Sequence, residues 1–148
     1  MTTNIYFTAI SYRLQPEEVE YIVNDCGAKV LITSTQFSST FDQLKNKLRS
    51  NPTCYMLDGI ADGTTSFEST VAKQPNQPID DESYGERLLY SSGTTGMPKG
   101  VKKPLPANQW GEAEPHYLSR RDRYGFDQQT IYLSPAPLYH AAPLSFTM

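Results

Sequence analysis

The spacing of apolar residues changes several times along the chain, and each change predicts an element. Ile5 to Ile10 is short, apolar and rich in β-formers, which predicts a strand. Val19, Ile22, Val23 and Cys26 then recur at helical spacing and form one apolar stripe. Pro16 suits the first position of that helix, Glu17 and Glu18 suit the positive end of its dipole, and Gly27 stands where a left-handed cap is wanted. Lys29 to Thr33 reads as a short buried strand. Phe41, Leu44 and Leu48 predict a second helix ending near Asn51-Pro52, and Cys54 to Leu57 predicts another strand. A short helix is expected over Ser66 to Lys73.

Gln74 to Glu82 is a polar connector with two prolines. Beyond it, Arg87-Leu-Leu-Tyr90 leads into a glycine-rich segment, and Val101 starts a further strand. Residues 104–129 are polar and irregular, with a helix expected around His116 to Arg123. Thr130 to Ser134 is apolar and β-prone. Strands alternating with helices every ten to twenty residues predict an α/β fold, a layered sheet of parallel strands with flanking helices.

Composition narrows the function classes. Of the 148 residues 38% are apolar and 20% charged, with a net charge of -3, the balance of an ordinary soluble domain. Mild acidity argues against a nucleic-acid partner, which demands clustered Lys and Arg. Cys26 and Cys54 form no CxxC pair and have no neighbouring His cluster, so no metal site is expected, while a disulfide stays open. The amino terminus lacks a basic, then apolar, leader, and no run reaches the roughly 18 apolar residues of a membrane span. A cytoplasmic location is expected, with peripheral membrane contact left open.

The chemistry concentrates in Leu88-Leu-Tyr-Ser-Ser-Gly-Thr-Thr-Gly-Met-Pro-Lys-Gly100. Gly93 and Gly96 let backbone N–H groups approach a polyanion. The hydroxyls of Ser91, Ser92, Thr94 and Thr95 can each donate to a phosphate oxygen, and Lys99 supplies a compact positive charge. A P-loop kinase or GTPase is disfavoured. Five positions beyond Gly93 stands Pro98 rather than Gly, and Gly100 rather than Ser or Thr follows Lys99. A surface Ser/Thr/Gly turn is the plain alternative, but the order of apolar lead-in, Ser-Ser-Gly-Thr-Thr-Gly and Pro-Lys-Gly is much rarer.

That segment resembles the signature loop of the adenylate-forming, AMP-binding superfamily: acyl-CoA synthetases, firefly luciferase and peptide-synthetase adenylation domains. Leu14 to Thr33 is similar to the family's helix–strand unit upstream of the loop, and Leu133-Ser-Pro-Ala-Pro-Leu-Tyr-His-Ala-Ala142 to its next core motif. The resemblance covers essentially residues 1–148 and implies a partial N-terminal adenylation domain. Absent would be the remainder of that domain and the C-terminal domain with its adenylation lysine.

The resemblance also implies a two-step reaction. A carboxylate attacks the α-phosphorus of ATP to give an acyl-adenylate and pyrophosphate, and the thiol of coenzyme A then displaces AMP. ATP, Mg²⁺ and coenzyme A are the implied cofactors. Ser91, Ser92, Gly93, Thr94, Thr95, Gly96 and Lys99 would contact the phosphates, and His140 would act catalytically near the acyl carboxylate. The motif variants lean toward a fatty-acid–CoA ligase. Alternatives are a non-catalytic nucleotide-binding remnant and an adenylation domain for an aryl or amino acid. A fragment of this kind is expected to be inactive alone, with apolar faces and sheet edges uncovered.

Overall fold

The stripe of Val19, Ile22 and Val23 lies on helix α1 (Pro16–Asp25) in the computed structural model, which describes residues 5–80, 82–91, 96–107 and 115–147. The Gln15 N–H donates to Glu18 Oε2 at 2.9 Å, closing the first turn. At the other end Gly27 takes φ 61°, Ala28 N–H donates to Val23 O at 3.1 Å and Gly27 N–H to Asn24 O at 3.2 Å. These are the two bonds of a Schellman cap, which needs a left-handed residue at Gly27. A Cβ there meets nothing within 4 Å. Gly27→Ala is therefore expected to cost about 1–2 kcal/mol, as backbone strain alone. Urea unfolding measures this, and an unchanged midpoint would contradict the assigned cap.

The chain divides into two compact units: Ile10–Gln77 with Tyr90–Gly100, and Met1–Ala9 with Pro78–Leu89 and Val101–Met148. The first holds a parallel sheet in the order β2 (Val30–Ser34), β3 (Thr53–Leu57), β4 (Thr65–Ser66). Its register runs from Val30↔Thr53 to Ser34↔Leu57, with Tyr55↔Thr65 and Met56↔Ser66 on the other side of β3. The two-residue β4 is too short to leave a period in the sequence. It runs straight into α3 (Phe67–Val71), where Ser66 Oγ accepts the Ser69 N–H at 3.2 Å as an N-terminal cap.

Helix α2 (Ser38–Leu44) is shorter than the pattern predicts. It tightens into a 3₁₀ turn over Lys45–Lys47, where Lys45 Nζ lies 2.8 Å from both Asp42 Oδ1 and Asp62 Oδ2. These two hydrogen bonds raise the Lys45 pKa. Asn51 is left-handed at φ 46° ahead of Pro52, a residue that disfavours helix in its predecessor. Leu48 is nonetheless buried as its spacing implies. With Val23, Phe41, Leu44 and Met56 it forms the core, against which Ile10, Val19, Leu31 and Cys54 pack. Met56, on the central strand, has 0% exposure.

In the second unit β1 is only Tyr6–Phe7, not the whole of 5–10. It runs parallel to β5 (Glu86–Ser91), with Tyr6↔Glu86 and Phe7↔Arg87 paired, and β5 also neighbours β6 (Lys99–Lys102); Tyr90 and Ser91 of β5 and Lys99 and Gly100 of β6 belong to the first unit. Helices α4 (Pro115–Tyr124) and α5 (Ala141–Thr147) follow. Arg87, buried in β5, donates to Ser145 Oγ, and Arg120 Nη1 donates to Ser145 O at 2.6 Å. Tyr124, Phe126, Tyr132 and Phe146 form an aromatic cluster with centroids 5.6–6.4 Å apart, and Arg120 lies 5.3 Å from the Phe146 centroid.

The α/β class with parallel strands and flanking helices is thus what the chain adopts. The β-prone stretch over 130–134 forms no strand, and Ile131 and Leu133 in it are 98% and 81% exposed. Helix α5, which carries Pro143, is not among the elements predicted from the sequence. Pro143 sits in the first turn, where a missing N–H removes no helical bond. Among the described residues no helix is long and apolar enough to cross a membrane.

Candidate functional site

The site begins where two strands meet the glycine-rich segment. Leu88 is buried and the strand becomes exposed by Ser91, its last residue. β6 opens at Lys99 and is exposed along its length, so Lys99 belongs to a strand rather than to the loop of the sequence reading. Ser91 Oγ donates to the Lys99 carbonyl at 3.5 Å, so the first and last residues of the segment stand side by side. Pro98 is buried beside the exposed Met97 and Lys99. Burying Pro98 fixes the backbone before Lys99, since the ring removes one degree of freedom.

Ser91 and Lys99 are thus placed together at the ends of the segment, and Gly96 is exposed. Ser92, Gly93, Thr94 and Thr95 lie outside the described residues. The Lys99 side chain is exposed, and among the described residues no carboxylate forms an ion pair with it. The exposed Lys99 ammonium stands at the end of a Ser/Thr/Gly segment, while Ser91 spends its one hydroxyl proton on the Lys99 carbonyl and keeps Lys99 beside it. An ammonium so placed suits phosphate oxygens and does not suit a bare cation. Among the described residues no group of three His, Cys, Asp or Glu side chains is placed to hold a metal ion.

The stems carry further residues that sequence reasoning did not single out. Tyr90 Oη donates to Asp25 Oδ2 at 2.6 Å, reaching the last residue of α1. Burial, joined by that carboxylate, pushes the Tyr90 phenol well above the ordinary tyrosine range. The one available signal was position, since Tyr90 immediately precedes the segment and Gly100 immediately follows it.

His140 belongs to the other unit. It is exposed, immediately ahead of α5. Its N–H donates to Pro137 O at 3.1 Å, its carbonyl accepts from Leu144 N at 3.2 Å, and its ring centroid lies 4.5 Å from that of Tyr139. The backbone of His140 is therefore committed to starting α5, and its imidazole is solvent-facing.

Comparison with known proteins places these features. Residues 2–148 match the profile of the family described as AMP-binding enzyme. The medium-chain fatty-acid–CoA ligase of Escherichia coli is 29% identical over 147 residues, spanning 90% of this chain and 25% of the relative. The anthranilate CoA ligase AuaEII, solved in complex with anthranoyl-AMP, aligns with TM-score 0.55 and 33% identity over 62% of this chain and 18% of its own. A Rhodopseudomonas palustris protein shares the fold at TM-score 0.71 and 17% identity, over 93% of this chain and 33% of its own. The chain spans about a quarter of the length of the curated CoA ligases it matches along most of its own length. With a profile match over nearly its whole length, the chain belongs to the AMP-binding enzyme family.

Proposed function

We propose that this chain is the phosphate-gripping part of an ATP-dependent acid–thiol ligase, an acyl-CoA synthetase that works through an acyl-adenylate. The observation that carries the reading is the joined pair Ser91 and Lys99, whose exposed hydroxyl and ammonium bracket the Ser-Ser-Gly-Thr-Thr-Gly segment. In the first step an anion must approach a polyanion while a charged group leaves. That is an electrostatic task for donors and a cation. Lys99, Ser92, Thr94 and Thr95 hold the triphosphate and bias the charge toward the departing pyrophosphate. Mg²⁺ would travel with ATP and supply further charge neutralisation. His140 faces the acyl carboxylate as a hydrogen-bond donor.

This chain spans 25% of the E. coli medium-chain fatty-acid–CoA ligase. We read the present chain as part of a large N-terminal domain, with the acyl acid and coenzyme A handled mostly by residues outside it. Exposed Val30 and Ile32 on β2, at the edge of its sheet, support that reading. The acid is a fatty acid by the motif variants. The anthranilate ligase likeness favours an aryl acid as the second reading. A cytoplasmic setting fits the chemistry.

The test uses the purified 148-residue chain. It should bind ATP in a phosphate-dependent manner, more tightly than AMP. Its ATP–pyrophosphate exchange should stay at background with medium-chain fatty acids and with aryl acids alike. Acid-dependent exchange above background would overturn the partial-domain reading. Equal affinity for ATP and AMP would overturn the phosphate reading.

A further inference from the structure

We infer that Tyr90, Asp25 and Gly100 form a clamp that fixes both stems of the glycine-rich segment to the end of α1, making Tyr90 and Asp25 positioning residues for the triphosphate. The inference rests on the phosphate reading above and extends it to residues that contact no phosphate.

Two independent observations meet at Tyr90. Its hydroxyl donates to Asp25 Oδ2 at 2.6 Å, and the residues are 65 apart in sequence. Its ring also lies against Gly100: a Cβ on Gly100 would stand 3.1 Å from Tyr90 Cζ, 3.2 Å from Oη and 3.3 Å from Cε1. Tyr90 therefore leaves the incoming stem, crosses the outgoing stem at the one residue with no side chain, and is caught by α1. Only glycine at position 100 lets the ring close on the strand without displacing it.

Asp25 is itself a fixed anchor. It is the last residue of α1, whose Ile22 and Val23 are buried and whose end is closed by the Gly27 cap. The neighbouring Asn24 donates from Nδ2 to Lys47 O at 3.1 Å and accepts the Arg49 N–H at 2.7 Å. Helix α1 is thereby tied to the turn after α2. A chain of packed and hydrogen-bonded residues leads from the core to the two ends of the segment, one residue outside Ser91 and one outside Lys99. Holding those ends presets the spacing of Ser91 and Lys99 before an anion arrives.

The test is ATP titration of the full 148-residue chain and its variants, far below their melting temperatures. Tyr90→Phe keeps the ring and deletes the hydroxyl. Asp25→Ala deletes the acceptor, and Asp25→Asn retains an acceptor oxygen. The first two should each weaken ATP binding by about tenfold, the size expected for losing one charge-assisted hydrogen bond. Tyr90→Phe/Asp25→Ala together should lose no more than either alone, since both break the same bond. Asp25→Asn should restore most of the affinity. As a control for general destabilisation, Ile22→Val should lower the melting temperature and leave ATP affinity unchanged. Tyr90→Phe binding ATP as the wild type does, while Lys99→Ala binds weakly, would overturn the clamp and leave the phosphate reading standing. Full ATP affinity in Lys99→Ala would remove the phosphate reading and the clamp with it.

Discussion

Replacing Lys99 by alanine is expected to weaken ATP binding by about 10–100-fold and to leave folding stability within about 0.5 kcal/mol of wild type. The binding loss follows from the nature of the contact. An ammonium on a terminal phosphate is a charge-assisted bond of about 1.5–3 kcal/mol, and each 1.4 kcal/mol is about tenfold in affinity. The neutral fold follows from exposure. Lys99 is at the solvent-facing start of β6, and among the described residues it holds no ion pair whose loss would leave a charge stranded. Arginine at this position should restore part of the affinity, because the charge returns but the planar fork presents it differently. Calorimetric titration with ATP measures the effect. An affinity unchanged in Lys99→Ala would take this residue out of the phosphate role. AMP is the internal comparison. It lacks the β- and γ-phosphates, so its binding should be nearly indifferent to the substitution.

The second large effect is on stability. Met56→Ala should destabilise the chain by about 2–5 kcal/mol, the usual cost of a buried side chain plus the cavity left behind. Met56 has 0% exposure on β3, the central strand of its sheet, with Val23, Phe41, Leu44 and Leu48 in the same core. Neighbours on a strand flanked by two others cannot collapse into the space without breaking ladder bonds. Set against a typical stability of about 5–15 kcal/mol, the loss is a large fraction of the total. Ile60→Ala, at a position 71% exposed, should move the midpoint by no more than about 0.5 kcal/mol. Urea unfolding of both variants decides the matter. A Met56→Ala midpoint equal to that of Ile60→Ala would contradict the assigned core.

Much of this was legible in the sequence, for reasons that differ by element. Helix α1 announced itself through Pro16, the acidic first turn, a four-residue apolar stripe and Gly27, which all point the same way. The parallel strands β2 and β3 were legible as short apolar runs between turn residues. The expectation that β2 is buried fails, because it lies at the edge of its sheet with Val30 and Ile32 exposed. What escaped is what sequence spacing does not encode. At the early end of α2 Lys45 bonds Asp62, seventeen residues away, a pairing that apolar spacing does not encode. The apolar run over 130–134 carries β propensity, yet propensity describes fit to a pleated surface and no strand is paired with it here.

For the candidate site, the motif pointed to phosphate chemistry but could not show that Lys99 starts a strand or that its carbonyl meets Ser91. Tyr90 and Asp25 were invisible for a related reason. Neither is an unusual residue where it stands, and only the fold brings the phenol to a carboxylate. Arg87 was similarly hidden. A charged residue in an apolar lead-in reads as the solvent face of a strand, whereas here Ser145 on α5 accepts its guanidinium and the side chain is buried.

The most direct measurement is a crystal structure of the chain grown with a non-hydrolysable ATP analogue. The triphosphate should lie over the segment between β5 and β6, with the Lys99 ammonium and the Ser/Thr hydroxyls within hydrogen-bonding reach of its β- and γ-oxygens. A triphosphate bound at any other place on the chain, or no triphosphate at saturating analogue, would contradict it.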